Sequence, residues 1–472
     1  MSLLFVAPVA GADDEVPAKP AANTPAELLA GHSAHGEAFN EGPRQQAYLM
    51  EGTGKVDFPI TTTDPLAQKF FNQGIGQLHG FWYFEAERSF RQVAALDTNC
   101  AMAYWGAAMA NLNNEKRAKE FIKKAAALKK NTDRREAMWI DALVDYYKDR
   151  KEEKKAEKKE DGKYERKEEK TPEKQRRRDL VRNLENIVHE FPGDLEAKAF
   201  LVLQIWNNGG DLPISSAQAL DALADQVLAV EPMHPIHHYR IHLWNSEKDQ
   251  RALNSAARCG QSAPAIAHMW HMPGHTFTKL LRYADAAWQQ EASARVDHAQ
   301  MIRDRILPDQ IFNYAHNNDW LVEDLSYVGR VNDAVDLAKN MIEIPRHPQF
   351  NSLTNKSGSA YYGRKRLLEV LLKFELWDEL IKLSDTVYLE ATNIPREQAR
   401  RLYALGVAWF SKGDAEKGGA QITALEGVLK KVRAERQVAA EEAEAKARKE
   451  KLTADKVAKA MADAMQTFNE RI

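Results

Sequence analysis

The chain of 472 residues is about three times as long as a typical single domain, so it can hold two or three folding units or one long repeat array. Its 66 basic and 68 acidic side chains give a net charge of −2, which excludes a global electrostatic attraction to nucleic acid or to an anionic membrane. The only cysteines, Cys100 and Cys259, exclude a CxxC redox pair and a four-cysteine zinc site, although one disulfide could form if the fold brings them together.

Residues 1–40 have the composition of a leader and linker. An apolar run from Leu3 to Ala12 ends in Ala10-Gly11-Ala12, which has the small-x-small form of a cleavage site, but the basic start of an export signal is absent. Residues rich in Pro, Ala, Gly and Ser follow. We interpret the segment as a short export signal, which predicts a periplasmic or extracellular protein. The alternative is a leader that was never a signal.

The rest of the chain has a helical pattern. Segments such as RKRLLEVLLKFELWDELIKL, residues 364–383, place apolar residues at spacings of three and four, whereas alternating runs are scarce. No later run approaches the roughly 18 apolar residues that a membrane-spanning helix requires. The sequence therefore predicts an all-α protein.

A tetratricopeptide-like repeat recurs within this pattern. Leu405-Gly406 is followed by Trp409, by Gly413-Asp414 at a turn, and by the small residue Gly418, which is the spacing of that repeat. Partial copies occur near residues 85–90, 282–286 and 329–334. Because one helix pair cannot bury its apolar face without the next, the repeats predict a TPR-like α-solenoid, a superhelix of six to eight antiparallel helix pairs.

Two charged segments set the expected domain boundaries. Residues 148–178 contain 15 basic and 10 acidic side chains among 31, which predicts a solvated insertion between N-terminal helices at 41–147 and a histidine-rich solenoid at 179–427. Residues 428–472 are rich in Ala, Glu and Lys. They predict a long exposed C-terminal helix that caps or frays from the array.

The histidines are unevenly distributed. Seven of the 14 fall within the 42 residues from 234 to 275, and they are His234, His237, His238, His242, His268, His271 and His275. Six of the other seven, taken singly, are interpreted as ordinary core or surface residues, and they are His32, His35, His79, His189, His298 and His347. Chance placement accounts poorly for the dense group.

The spacing within the group is suited to metal binding. His238 and His242 are four residues apart, so on a helix both rings lie on one face and can share an ion. The histidines of the run HMWHMPGH, residues 268–275, are spaced three and four, although Pro273-Gly274 predicts that a helix begins or ends inside it. In consecutive helix pairs the two runs would meet across one groove.

The chemistry of the group favours certain ions. Imidazoles without carboxylate partners suit zinc or copper better than calcium or magnesium, which prefer oxygen ligands. Met269 and Met272 favour copper slightly, but methionine is also a common core residue. The alternative is a metal-free hydrogen-bond network through Tyr239, Trp244 and backbone carbonyls.

Several stretches resemble a family of exported bacterial tetratricopeptide-repeat proteins of poorly defined function. They are CAMAYWGAAMA (100–110), HHYRIHLW (237–244), AHMWHMPGHTF (267–277) and YAHNNDWL with VGRVNDA (314–334). The resemblance runs from about residue 70 to residue 410, and its histidine motifs are more specific than its repeats.

The resemblance implies a ligand set. Its Asn-His-Tyr-x-Ile-His pattern falls on residues 237–242, with His237 in place of Asn, and its His-x-x-His-Met-Pro-x-His pattern falls on 268–275. A later His-Asn pattern falls on residues 316–317, but Asp319 stands where a further histidine often follows. The predicted metal ligands are therefore His238, His242, His268, His271, His275 and His316. Some relatives carry a thioredoxin-like redoxin domain after the repeats, and this sequence has neither that domain nor its paired cysteines. Either the sequence is a truncation of a longer protein or this member acts without the domain, and a redoxin-type protein is one candidate partner.

Three functions compete at this stage, and whether the protein is an enzyme stays open. The first is an exported scaffold whose groove binds a peptide or protein and carries a copper or zinc site. The second is a metalloenzyme linked to thiol or peroxide chemistry, in which Asp319 or Glu323 handles protons. The third is a metal carrier or sensor in which Met269 and Met272 take part. No phosphate-binding glycine loop, nucleophile elbow or haem motif is present.

Overall fold

The structure is a computed structural model that describes residues 46–149, 172–213, 215–245, 248–311 and 313–468. Within these ranges it contains 19 α-helices and no β-strand. The helices are α1 (Pro65–His79), α2 (Tyr83–Leu96), α3 (Ala101–Met109), α4 (Glu115–Leu128), α5 (Arg134–Tyr147), α6 (Pro172–Glu190), α7 (Leu195–Asn208), α8 (Ala217–Val230), α9 (His237–Trp244), α10 (Leu253–Ser262), α11 (Ala267–Lys279), α12 (Tyr283–Asp304), α13 (Tyr314–Tyr327), α14 (Val331–Glu343), α15 (Ser359–Lys373), α16 (Trp377–Leu383), α17 (Pro395–Ser411), α18 (Ala415–Lys449) and α19 (Ala454–Gln466).

The helices form an α-solenoid. Every helix packs on the next one along the chain, and alternate helices such as α9 and α11 or α13 and α15 also touch. In the described ranges, most contacts between helices join helices one or two positions apart along the chain. Such nearest-neighbour packing defines a helical repeat array, so the predicted fold class is confirmed.

The same turn closes seven of the helices in the part of the chain that the structure describes. Each turn has one residue in the left-handed region, at Phe81, Leu281, Arg305, Gly329, Glu375, Gly413 and Lys451. The residue after it donates its N–H to the carbonyl five positions earlier, as Trp82 does to Gln77 and Asp414 does to Trp409. This Schellman-type turn satisfies the last carbonyls of one helix and reverses the chain into the next. Its recurrence is the backbone counterpart of the sequence repeat.

Small residues allow the paired helices to approach closely. A Cβ on Gly106 would lie 2.3 Å from the ring of Phe90, and one on Gly418 would lie 2.8 Å from the ring of Phe410. Three hydrophobic clusters then follow one another along the solenoid, at residues 47–239, 241–286 and 321–408. Helix α9 contributes to the first two clusters, α11 to the second and α13 to the third.

The segment that precedes α1 crosses to the middle of the solenoid. The N–H of Ala265 donates to the carbonyl of Gly52 at 2.9 Å, and the Tyr48 hydroxyl donates to Asp304 Oδ1 at 2.9 Å. A Cβ on Gly54 would lie 2.5 Å from the ring of Pro235. These contacts tie residues 46–64 to the segments that precede α9 and α11 and to the end of α12.

Some expectations from the sequence fall within the described residues and others do not. The predicted signal segment lies outside the described residues, as do residues 150–171 of the charged insertion, while residues 172–178 of that insertion begin α6. The predicted single C-terminal helix is instead α18 and α19, separated at residues 450–453 by another left-handed turn. Cys100 and Cys259 are both buried and free, so they do not pair.

The prediction that a helix begins or ends at Pro273-Gly274 is wrong. Helix α11 runs through Pro273 without interruption, and both residues are buried. Gly274 allows α11 and α12 to pack closely at this point. A Cβ at this position would lie 2.1 Å from Gln290 Nε2. The tertiary contact therefore outweighs the backbone hydrogen bond that proline removes. No described helix is both long and apolar enough to cross a membrane.

Candidate metal centre

Three alternate helices of the solenoid, α9, α11 and α13, supply all six predicted ligands. They form two groups, defined here as the first triad, His238, His242 and His268, and the second triad, His271, His275 and His316. Within each triad, one nitrogen per ring lies within 4.8 Å of the others. The two histidine runs were expected to meet across one groove, and the structure divides the six rings into two sets of three.

The helical spacing explains this division. His238 and His242 are one turn apart on α9, and His268 at the start of α11 joins them from the next repeat. One turn further along α11, His271 and His275 face His316 of α13 instead. Helix α11 therefore contributes to both triads, and the rings of His268 and His271 lie 5.8 Å apart between centroids.

The first triad has ligand-like geometry. The Nε2 atoms of His238 and His242 are 3.0 Å apart, and the centroids of His238 and His268 are 4.8 Å apart. His238 Nδ1 lies 2.6 Å from the carbonyl oxygen of His79. Because a carbonyl can only accept, Nδ1 carries the proton and Nε2 keeps its lone pair for the triad. His268 Nε2 is buried and has no hydrogen-bond partner.

The second triad follows the same plan. The His271 ring lies 4.4 Å from that of His275 and 4.8 Å from that of His316, between centroids. His271 Nδ1 lies 2.7 Å from Gln290 Oε1, which accepts a hydrogen bond from it. Gln290 is fully buried on α12, where the close approach at Gly274 holds it. Its role was missed in the sequence, because nothing local marks a glutamine 19 residues away as a partner.

Burial keeps the triad imidazoles neutral. Desolvation lowers the pKa of His238 to about 4 and that of His275 to about 3. The pKa values of His242, His268 and His271 also fall well below 6.5, first through burial and then through the neighbouring rings. A neutral imidazole is the form that binds a metal, so these rings need not lose a proton first at neutral pH.

Aromatic rings enclose the first triad. Phe81, the left-handed residue of the turn after α1, lies 4.4 Å from His238, 5.6 Å from His242 and 5.7 Å from His268, between ring centroids. The indole of Trp206 lies 4.6 Å from His242. A non-glycine residue in the left-handed region costs about 1–2 kcal/mol. The packing of this ring against three histidines offsets that cost.

A third buried cluster has a different character. It is the Glu196 network, in which Glu196 Oε2 accepts from His79 Nε2 at 2.5 Å and Oε1 accepts from His234 Nε2 at 3.0 Å. His79 Nδ1 lies 2.8 Å from the Tyr239 hydroxyl, and His234 Nδ1 accepts the N–H of Ile236. Burial alone would raise the pKa of Glu196, but His234 and His79 outweigh it and lower the pKa. Because every ring nitrogen has a partner, this network needs no ion.

The remaining predicted participants lie in other environments. His237 contacts Ser255 Oγ at 3.0 Å and the carbonyl of Pro232 at 2.9 Å, so both of its nitrogens are engaged. Met269 and Met272 are buried in the hydrophobic cluster at 241–286. They behave as core residues there, which removes the slight preference for copper that they suggested.

Asp319 and Glu323, the proton carriers considered for the enzyme hypothesis, are both engaged by one cation. Arg366 Nε lies 2.5 Å from Asp319 Oδ1, and its Nη2 lies 2.6 Å from Glu323 Oε2. The Arg366 pKa is raised because hydrogen bonding and charge from Asp319 outweigh the effect of burial. Both carboxylates are therefore held in an ion-pair network with Arg366.

Comparisons with known proteins leave this chain without an assigned family. No family model matches it, and no curated protein matches it. Among solved structures it is similar to Cut9 with Hcn1 from the APC/C, at 10% identity over 77% of this chain and 66% of that one, with a TM-score of 0.27. It is also similar to the P58(IPK) TPR domain (13% identity, 76% and 92% covered, TM-score 0.18) and to yeast Tom70 (10%, 79% and 90%, TM-score 0.23). At these scores the likenesses imply no shared function.

Proposed function

We propose that the protein is an α-solenoid scaffold that binds two transition-metal ions, one in each histidine triad. The observation that carries this proposal is the convergence of six neutral imidazoles in two sets of three, with no carboxylate in either set. Such a donor set suits zinc or copper. The ligands of both ions would come from three alternate helices, α9, α11 and α13.

The distances in the triads fit such an ion. A metal bound to nitrogen at about 2.0–2.1 Å in tetrahedral geometry places two ligand nitrogens about 3.3 Å apart. The 3.0 Å between the Nε2 atoms of His238 and His242 is close to that value. The other separations, up to 4.8 Å, require small ring rotations toward a common centre.

The contacts outside the triads also support metal binding. Metal-bound histidines usually donate their second ring nitrogen to a carbonyl or another acceptor, which fixes the ring and its tautomer. His238 does this with the carbonyl of His79, and His271 does it with Gln290. His268 Nδ1 lies 2.9 Å from the Asn313 amide, which can accept in the same way when its two ends are exchanged.

The Glu196 network provides an internal comparison. There each ring nitrogen already has a protein partner, as a metal-free network requires. In the first triad, by contrast, His268 Nε2 has no partner and is buried, and an unsatisfied buried nitrogen costs about 1–3 kcal/mol. A bound ion would satisfy it. This difference favours a metal over the alternative of a purely hydrogen-bonded cluster.

Three histidines leave a coordination position open on each ion. Structural zinc sites are closed by four protein ligands, whereas three ligands plus an exchangeable one are typical of catalytic and carrier sites. The proposal therefore includes exchange of a small ligand at the metal. We further propose a peptide or protein partner in the groove and, from residues 1–40, export from the cytoplasm, with a redoxin-type protein as one candidate partner.

Elemental analysis of untagged protein, purified without chelators, tests the proposal. We expect copper or zinc at about two ions per chain, with X-ray absorption showing only nitrogen or oxygen neighbours at about 2.0–2.1 Å. A sulfur neighbour at about 2.3 Å would instead place a cysteine or methionine on the ion. Metal below about 0.2 per chain after incubation with either ion and desalting would refute the proposal.

A further inference from the structure

A large cleft of the solenoid lies beside the first triad. It has a volume of about 940 Å³ and runs between the turn after α1, the end of α7 and the segment that follows α12. Phe81 and Trp206, whose rings contact the first triad, both line it. This volume lies near the upper end of the range for pockets that hold organic ligands.

A smaller cavity connects the cleft to a ligand of the first triad. This cavity, of about 30 Å³, is lined by His268 and Asp297. Four residues line both spaces and form the wall between them: Phe81, Trp82, Gln300 and Ile311. An occupant of the cleft would therefore lie one side chain away from the metal ligands.

One buried polar group along the cleft lacks a partner of its own. Glu85 is 2% exposed, and its Oε2 has no hydrogen-bond partner although Oε1 pairs with Arg88. Gln300, which is 5% exposed, lines the same cleft. Buried polar atoms are normally satisfied, so Glu85 Oε2 points to a ligand that donates a hydrogen bond to it.

The charges of the lining favour an anionic group on that ligand. Arg88, Arg177 and Arg305 line the cleft with Glu85 as the acidic residue. Arg88 is paired with Glu85, and Arg177 is paired with Asp211 and Glu173. The exposed guanidinium of Arg305 has no partner among the described residues, so it can receive a carboxylate.

We infer that this cleft binds a short peptide segment in which an acidic residue is next to an aromatic one, and that the bound peptide lies against the first triad. Amides such as Gln300 offer both a donor and an acceptor, as a peptide backbone requires. Phe81, Trp82 and Trp206 provide faces on which an aromatic side chain stacks. The first half of the inference deepens the proposed peptide partner, and only the second half rests on the proposed metal function.

A nucleotide is the competing occupant, because arginine and aromatic rings also bind nucleotides. One unpaired arginine is a weak match for phosphate groups, which are usually met by several cations. The peptide is therefore favoured, and the nucleotide becomes an outcome of the experiment.

Binding is measured first on metal-free protein, by calorimetry and by tryptophan fluorescence. The probes are acetylated tetrapeptide amides with Asp-Phe, Lys-Phe or Asp-Ala at their centre, together with adenosine monophosphate. We expect the Asp-Phe peptide to bind most tightly, and Arg305→Ala to weaken it by about tenfold or more. Gln300→Ala should also weaken it, whereas Arg433→Ala, at an exposed arginine on α18, should leave binding unchanged.

Three results would overturn the peptide site: no binding of any probe, binding that Arg305→Ala and Gln300→Ala leave unchanged, or tighter binding of the nucleotide than of every peptide.

The metal contact is tested separately with Co²⁺-loaded protein, whose visible bands report the ligands of each ion. In His275→Ala, where the first triad is intact, the Asp-Phe peptide should shift the bands. In His242→Ala, where the second triad is intact, it should leave them unchanged. If the peptide binds but the bands do not shift, the contact between the peptide and the first triad is refuted. The peptide site itself would still stand. A protein that binds peptide but no Co²⁺ would refute the proposed metal function and leave the peptide site standing.

Discussion

Replacing His242 by alanine removes one ligand from the first triad and leaves the second triad intact. His242 suits this experiment because its hydrogen-bonding contact is with His238, inside the triad. His275 is the matching position in the second triad, since it makes ring contacts but no hydrogen bond with a described residue. Each substitution should therefore weaken one site while disturbing the fold little.

The expected loss of affinity is large. Structural zinc sites with four ligands bind with about 10–16 kcal/mol, or about 2.5–4 kcal/mol per ligand. Removing one ligand from a triad should thus weaken that site by about two to three powers of ten. At micromolar metal, only one of the two ions should then remain bound.

Titration of metal-free protein with Zn²⁺ against a chromophoric chelator measures both sites. We expect two equivalents for the unmodified protein, one for His242→Ala, one for His275→Ala, and none at that affinity for the double variant. His298→Ala, at an exposed histidine on α12, is the matched control and should keep both. If His242→Ala and His275→Ala both retained two equivalents, or if each lost both, the division into two independent triads would be wrong.

Three further predictions concern the surroundings of the triads. Glu196→Gln leaves one buried ring N–H without its acceptor, so urea unfolding should show a loss of about 1.5–3 kcal/mol without loss of bound metal; an unchanged midpoint would contradict the network. Burial raises the pKa of Asp297 from 3.8 to about 7, so its contribution to stability is complete below about pH 4 and is lost as the pH rises through 7. The free energy of unfolding of Asp297→Asn, relative to that of the unmodified protein, should therefore rise by up to about 4 kcal/mol between pH 4 and pH 8. An equal difference between the two proteins at both pH values would contradict this. Gly274→Ala places a Cβ against Gln290, which orients His271, and should lower the affinity of the second triad alone by about 10–100-fold; an equal loss at both triads would contradict the assigned role.

The sequence was sufficient for the fold class because the repeat is local. Apolar spacing predicts each helix, and small residues such as Gly418 mark where paired helices touch. The uninterrupted helix at Pro273 could not be predicted, since it depends on the contact between Gly274 and Gln290 from another helix. Similarly, the break between α18 and α19 occurs at Lys451, a residue with no preference for the left-handed region.

The candidate ligands were also visible in the sequence, but their grouping was not. A spacing of four places His238 and His242 together, and the resemblance added His316, which the density of histidines alone would not have included. Which rings share a centre depends on how α11 is rotated between α9 and α13, and this is set by packing. His79 was interpreted as an ordinary histidine, and it is a satisfied core residue, although its partner Glu196 lies 117 positions away.

Crystals of the zinc- or copper-loaded protein, measured on both sides of the metal absorption edge, test the two-ion scaffold most directly. We predict two anomalous peaks per chain, one within about 2.0–2.3 Å of nitrogens from His238, His242 and His268 and the other at the same distance from His271, His275 and His316. Loaded crystals with no peak at either position, or with all of the metal bound elsewhere on the chain, would contradict it.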